Sequence, residues 1–145
     1  MKKHTRNPCR GYSLLELIMV VFIIALLAGL SRPFLLQSTI AANENVALTT
    51  MRVILSGQIQ HNVRSKSYGT LAQLVNTGLV EKTLQDGIKS GYDFSVSNIS
   101  NANFELIAIP SAPGSTGNRG FFMDETAVIR FSSDGTAPDK SSPPI

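Results

Sequence analysis

The chain has 145 residues, 43% of them hydrophobic and 16% charged, which supports one small globular unit with an appendage and excludes a disordered polyelectrolyte. Its formal charge of +3 is concentrated at one end: Lys2, Lys3, Arg6 and Arg10 all precede Gly11, and without these four of the thirteen cations, nine face ten acids, about −1. The other cations are scattered from Arg32 to Lys140, so there is no clustered basic face of the kind that binds nucleic acid.

Residues 1–11 form a basic leader. Cys9, the sole cysteine, lies within it, which rules out an intramolecular disulfide and means that a cut after Gly11 leaves no thiol. A lipoprotein acceptor cysteine needs an apolar run before it, and Lys2 to Pro8 is polar and basic. Cys9 therefore reads as a reduced cytoplasmic thiol.

Leu17 to Leu30, LIMVVFIIALLAGL, carries no charged side chain. Together with Tyr12 to Glu16 it makes an apolar helix of about 20 residues, close to the ~30 Å that spans a bilayer. The cations before it predict a cytoplasmic N-terminus, with the chain beyond Arg32 translocated. An ordinary secretory signal is the competing reading. Against it, Ser31, Arg32 and Pro33 make a poor small-residue cleavage site, and Glu16 interrupts the apolar run near its start. A lone carboxylate at the centre of a membrane helix costs about 2.5–3.5 kcal/mol, and less near the interface, so Glu16 needs a compensating partner.

The run Arg10-Gly11-Tyr12-Ser13-Leu14-Leu15-Glu16-Leu17 is similar to the processing and assembly motif of type IV pilins and type II secretion pseudopilins. The resemblance implies that a prepilin peptidase cuts after Gly11 on the cytoplasmic side and methylates the new amine on Tyr12. It also implies that Glu16, four residues on, serves assembly. The family prefers Phe at the new N-terminus; Tyr12 keeps the aromatic ring. Physical reasoning agrees with these roles. A glycine lets a protease approach the backbone, and an ammonium and a carboxylate in an apolar setting are better paired than apart. In a filament, the Tyr12 amine of an incoming subunit would meet Glu16 of a neighbour and set axial register.

Past Arg32, Leu36, Ile40, Leu48, Met51, Leu55, Ile59 and Val63 recur at helical spacing, with Arg52, Gln58, Gln60 and Arg64 largely off that stripe. A helix from about Ser13 to Arg64 would be roughly 75 Å long, so its far half, residues 33–64, is expected to pack on a soluble domain. Pro33 would clash with the carbonyl of Gly29 four residues earlier, which makes Gly29 to Pro33 the weak point. In the resembling family a proline here marks a stretch that unwinds in the fibre.

Residues 65–145 read as an α+β head. Thr70 to Val75, with Gly78 following, is a short capped helix. Tyr92–Ser97, Phe104–Ile109, Gly120–Met123 and Ala127–Phe131 are strand candidates, with turns at 98–103 and 124–126. Residues 110–118 are a Pro/Gly/Ser loop and 132–145 a polar tail. The expected fold is pilin-like: one long helix packed on a small antiparallel sheet.

No catalytic apparatus and no cofactor are expected. His4 and His61 are far apart without acids or cysteines around them. Asp124, Glu125, Asp134 and Asp139 match no defined calcium loop and read as turn carboxylates. Residues 116–120 lack the spacing of a phosphate loop. The expectation is a structural subunit of a pilus or pseudopilus. By the resemblance, its partners are copies of itself and other pilins, the prepilin peptidase, and an inner-membrane platform with a cytoplasmic ATPase. Membrane lipid holds it as a single-pass protein before it enters a periplasmic pseudopilus or extracellular pilus. The alternative is a monomeric, membrane-anchored periplasmic binding module. Replacing Pro33 by alanine is expected to slow amide exchange from Gly29 to Leu36; unchanged exchange would remove the weak point.

Overall fold

The computed structural model describes residues 12–30 and 32–145. Two compact units divide between Leu35 and Leu36. The long N-terminal helical run is described as α1 (Leu14–Leu30) and α2 (Arg32–Ser65). Residue 31 lies outside the described residues. Pro33 lies within α2.

The head, from Leu36 onward, is built on a five-stranded antiparallel meander. Its strands are β1 (Ile88–Lys89), β2 (Tyr92–Ser97), β3 (Glu105–Pro110), β4 (Gly120–Asp124) and β5 (Ile129–Ser132), each paired to the next in sequence. Register places Phe94 opposite Ala108, Leu106 opposite Met123 and Phe121 opposite Phe131. The period-two alternation of these residues puts them on one face. That face forms the core with Ala47, Met51 and Ile54 of α2. The short helix α3 (Leu71–Asn76) is closed by a full capping box, Thr70 with Gln73, and sends Leu74 and Val75 into the same core.

The buried stripe of α2 is rotated from the one expected. Ile40, Glu44, Ala47, Met51, Ile54, Gln58 and His61 are buried, whereas Ile59 and Val63 are 51% and 68% exposed. Gln58 tolerates burial because its amide is satisfied twice: it donates to the Gly69 carbonyl at 2.7 Å and accepts from the Gly69 N–H at 2.9 Å. His61 lies beside it, its Nδ1 2.9 Å from the Ser67 carbonyl. A Cβ on Gly69 would meet the His61 ring at 3.0 Å, so the chain leaving α2 folds back as close as glycine allows.

The polar tail is ordered as a strap. Phe131 N–H donates to the Pro143 carbonyl at 3.0 Å and Ile145 N–H to the Ile129 carbonyl at 3.0 Å, which covers the β5 edge. On the outer face, a Cβ on Gly120 would come within 2.2 Å of the Thr136 carbonyl oxygen, and Lys140 Nζ approaches Glu105 at 3.6 Å and Asp124 at 4.0 Å. All five residues of β4 are consequently buried. Two side-chain turns hold the strap: Asp134 accepts from the Thr136 hydroxyl at 2.7 Å, and Asp139 from the Ser141 hydroxyl at 2.6 Å.

Those hydrogen bonds, from Thr136 and from Ser141 respectively, keep both carboxyls below the ordinary aspartate range. A lowered folded pKa contributes stability that is complete above the unfolded value and lost as pH falls through the folded one. Acidification through and below the usual Asp range is therefore expected to free the strap before the sheet. Exchange protection at Phe131 and Ile145 should fall while β3 and β4 stay protected; simultaneous loss would contradict this order.

Candidate functional site

Tyr12 and Ser13 lead into α1, whose first turn closes with the Leu17 N–H donating to the Ser13 carbonyl at 3.1 Å. Glu16 sits in that turn, where the positive end of the helix dipole favours a carboxylate. It is the only charged residue from Tyr12 to Gly29, and every side chain over that stretch is exposed. Tyr12 is 83% exposed and Phe22, near the middle, 63%. A helix that is apolar on all sides finds no stable place in water, so α1 requires lipid or other helices around it. Gly11 and the rest of the leader lie outside the described residues, as does the bond between Gly11 and Tyr12.

Gly29 occupies the penultimate position of α1, and a Cβ added there would meet nothing within 4 Å. Packing space is thus not what a glycine provides at this site; a weak helix propensity is. Among the described residues no helix is long and apolar enough to cross a membrane. The 17 residues of α1 rise roughly 25 Å, somewhat short of ~30 Å of hydrocarbon.

The prokaryotic N-terminal methylation motif matches residues 6–31. That span contains Gly11, Tyr12 and Glu16 and all of α1. The chain carries a prepilin signature. The head, a helix on an antiparallel sheet, is an α+β arrangement consistent with a pilin-like fold. No curated protein matches the chain.

In the head, sequence reasoning missed the polar anchor between α2 and the loop before β4. Glu44, 6% exposed, accepts the backbone N–H groups of Asn118 and Arg119 at 3.0 and 3.2 Å on Oε1. Its Oε2 receives Arg119 Nε at 2.8 Å and Nη2 at 2.7 Å. This is a forked, charge-assisted pair with both carboxylate oxygens occupied. The guanidinium also lies 5.6 Å from the Phe121 ring centre and 6.0 Å from that of Phe131. The adjacent Asn43 amide donates to the Thr116 carbonyl at 2.9 Å, and the Tyr92 hydroxyl donates to the Arg119 carbonyl at 2.8 Å. Burial, and then the Glu44 charge, push the Tyr92 phenol well above its ordinary value despite Arg119. The signal that could have found Glu44 is its place in the run Ile40, Glu44, Ala47, Met51, where an acid falls on the buried side of the helix.

The other candidates take structural roles. Asp124 Oδ1 accepts from the Thr126 N–H at 3.0 Å, so this carboxylate serves its own turn as Asp134 and Asp139 do. Among the described residues no three His, Cys, Asp or Glu gather as a metal site. Replacing Arg119 by alanine, which leaves Glu44 buried with only backbone donors, is expected to lower unfolding stability by about 2–3 kcal/mol. The check is a lower urea midpoint at unchanged slope; a midpoint equal to wild type would show that the pair contributes nothing net.

Proposed function

We propose that this chain is a structural subunit of a type IV pilus or pseudopilus filament, cut by prepilin peptidase after Gly11, methylated on Tyr12 and polymerised through α1. The observation that carries the reading is α1 itself: apolar on every side, exposed from Leu14 to Gly29, and bearing Glu16 as its one charge inside the matched motif. Lipid serves such a helix before assembly, so the subunit waits as a single-pass inner-membrane protein with a cytoplasmic N-terminus. Other copies of α1 serve it afterwards, burying the apolar surface that lipid had covered.

Glu16 fixes the register of that burial. The amine created at Tyr12 bears the opposite charge, and in an apolar filament core each group is costly without the other. Gly29, a poor helix former, and Pro33 four residues on frame the segment that yields as the subunit leaves the membrane. An inner-membrane platform worked by a cytoplasmic ATPase supplies the extraction, and other pilins join the same filament. The head carries no role in nucleic-acid binding on this reading, since its cations are dispersed.

Replacing Glu16 by alanine is expected to reduce filament incorporation at least tenfold, because roughly 1.4 kcal/mol is already a factor of ten. Mass spectrometry should still find a mature chain starting at methylated Tyr12. Normal filaments from that variant would refute the pairing. An intact Met1 in the wild-type chain would refute the processing, and with it the filament route.

A further inference from the structure

The sheet is open at two edges, β1 and β5. Two residues, one of them a lysine, make β1 a poor template for another strand. β5 is the longer edge, with four residues paired to β4 on its other side. Along it the Phe131 N–H donates to the Pro143 carbonyl at 3.0 Å, the Ile145 N–H donates to the Ile129 carbonyl at 3.0 Å, and Arg130 forms an antiparallel bridge with Pro144. This register sets Phe131 opposite Pro143 and Ile129 opposite Ile145. In an antiparallel ladder, residues that exchange backbone bonds alternate with residues that do not. The backbone groups of Pro143 and Ile145 therefore face β5, and those of Pro144 face away from the sheet.

Proline has no N–H, and the two prolines withhold it on opposite sides. Pro143 accepts from Phe131 and returns no bond to the Phe131 carbonyl. Pro144 leaves the outer side of the tail without a donor at the position whose backbone points outward. The segment thus occupies the β5 edge without presenting a usable edge of its own. Arg130 steadies it, its Nη1 donating to the Ser142 carbonyl at 2.9 Å. We propose that residues 143–145 are a stop for the sheet, which keeps the β5 edge of one copy from pairing with the β5 edge of another. Pairing of two identical antiparallel edges is two-fold and closed, so without the stop heads would be drawn into dimers that cannot grow. The stop does not depend on the filament reading; that reading explains its use, since it leaves association to α1.

The test uses the full chain in detergent micelles, at concentrations where the wild type sediments as one chain per micelle. In Pro143→Thr the new amide at 143 gains the Phe131 carbonyl. It should exchange about tenfold more slowly than the new amide at 144 in Pro144→Thr, which finds no acceptor in its own chain. Equal exchange at the two positions would overturn the assignment of sides. Deletion of residues 143–145 opens β5 and should produce pairs at a concentration roughly tenfold below that needed by the wild type, with the Phe131 amide protected again in the pairs. Pro144→Thr should pair likewise, and Pro143→Thr should not. A deletion variant that stays single while β3 and β4 remain protected would overturn the stop. Should the deletion unfold the sheet, Pro144→Thr decides alone, and sedimentation equal to wild type overturns the proposal. Neither readout involves filaments, so the filament reading stands or falls separately.

Discussion

An apolar helix whose side chains are exposed from Tyr12 to Gly29 is the constraint on which the rest depends. From Tyr12 to Gly29 every side chain of α1 is exposed, and only Glu16 carries charge. Burying a Leu, Ile, Val, Phe or Met side chain contributes about 1.5–3 kcal/mol, so a run of this length draws the chain strongly toward any apolar surroundings. Lipid and a bundle of like helices both provide them. A lipid bilayer has no fixed place for a carboxylate, and a bundle can place a cation opposite it. On the filament reading proposed above, the balance between the two environments is biased by one ionisable group, Glu16.

The head solves the complementary problem of holding a sheet against α2 while both remain compact. Its apolar core is ordinary in kind, formed by Met51, Ile54, Leu106, Phe121 and Met123 among others. What ties the segments together is polar. Glu44 binds the loop before β4 through four donors, and Gln58 binds the chain leaving α2 through two. Both sit on the buried side of the helix, and each is satisfied, so burial costs little and fixes the sheet's placement along α2. The strap from Asp134 to Ile145 completes the arrangement by covering both the β5 edge and the outer face at Gly120.

Legibility in the sequence followed the strength of local pattern. β2 was read residue for residue because Tyr92 to Ser97 alternates strictly, and α3 because Thr70, Gln73 and Gly78 punctuate it. β1 was not read, since two residues, Ile88 and Lys89, have no period to detect. The tail looked irregular because its pairing with β5 is long-range and leaves no alternation in Pro143 to Ile145. The phase of α2 was read from its apolar residues alone, which passed over Glu44 and Gln58, polar side chains whose burial is decided by partners distant in sequence. In α1 the reading was easy in the opposite sense: a charge-free run with a single glutamate needs no tertiary information to stand out, and the matched methylation motif covers that same stretch.

Helical reconstruction of filaments formed by the mature chain tests the central claim most directly. The account requires α1 helices of several copies bundled along the filament axis, with Glu16 of one copy within hydrogen-bond distance of the Tyr12 amine of another. Filaments whose axial core lacks α1, or in which Glu16 faces solvent and the Tyr12 amine lies elsewhere, would contradict it.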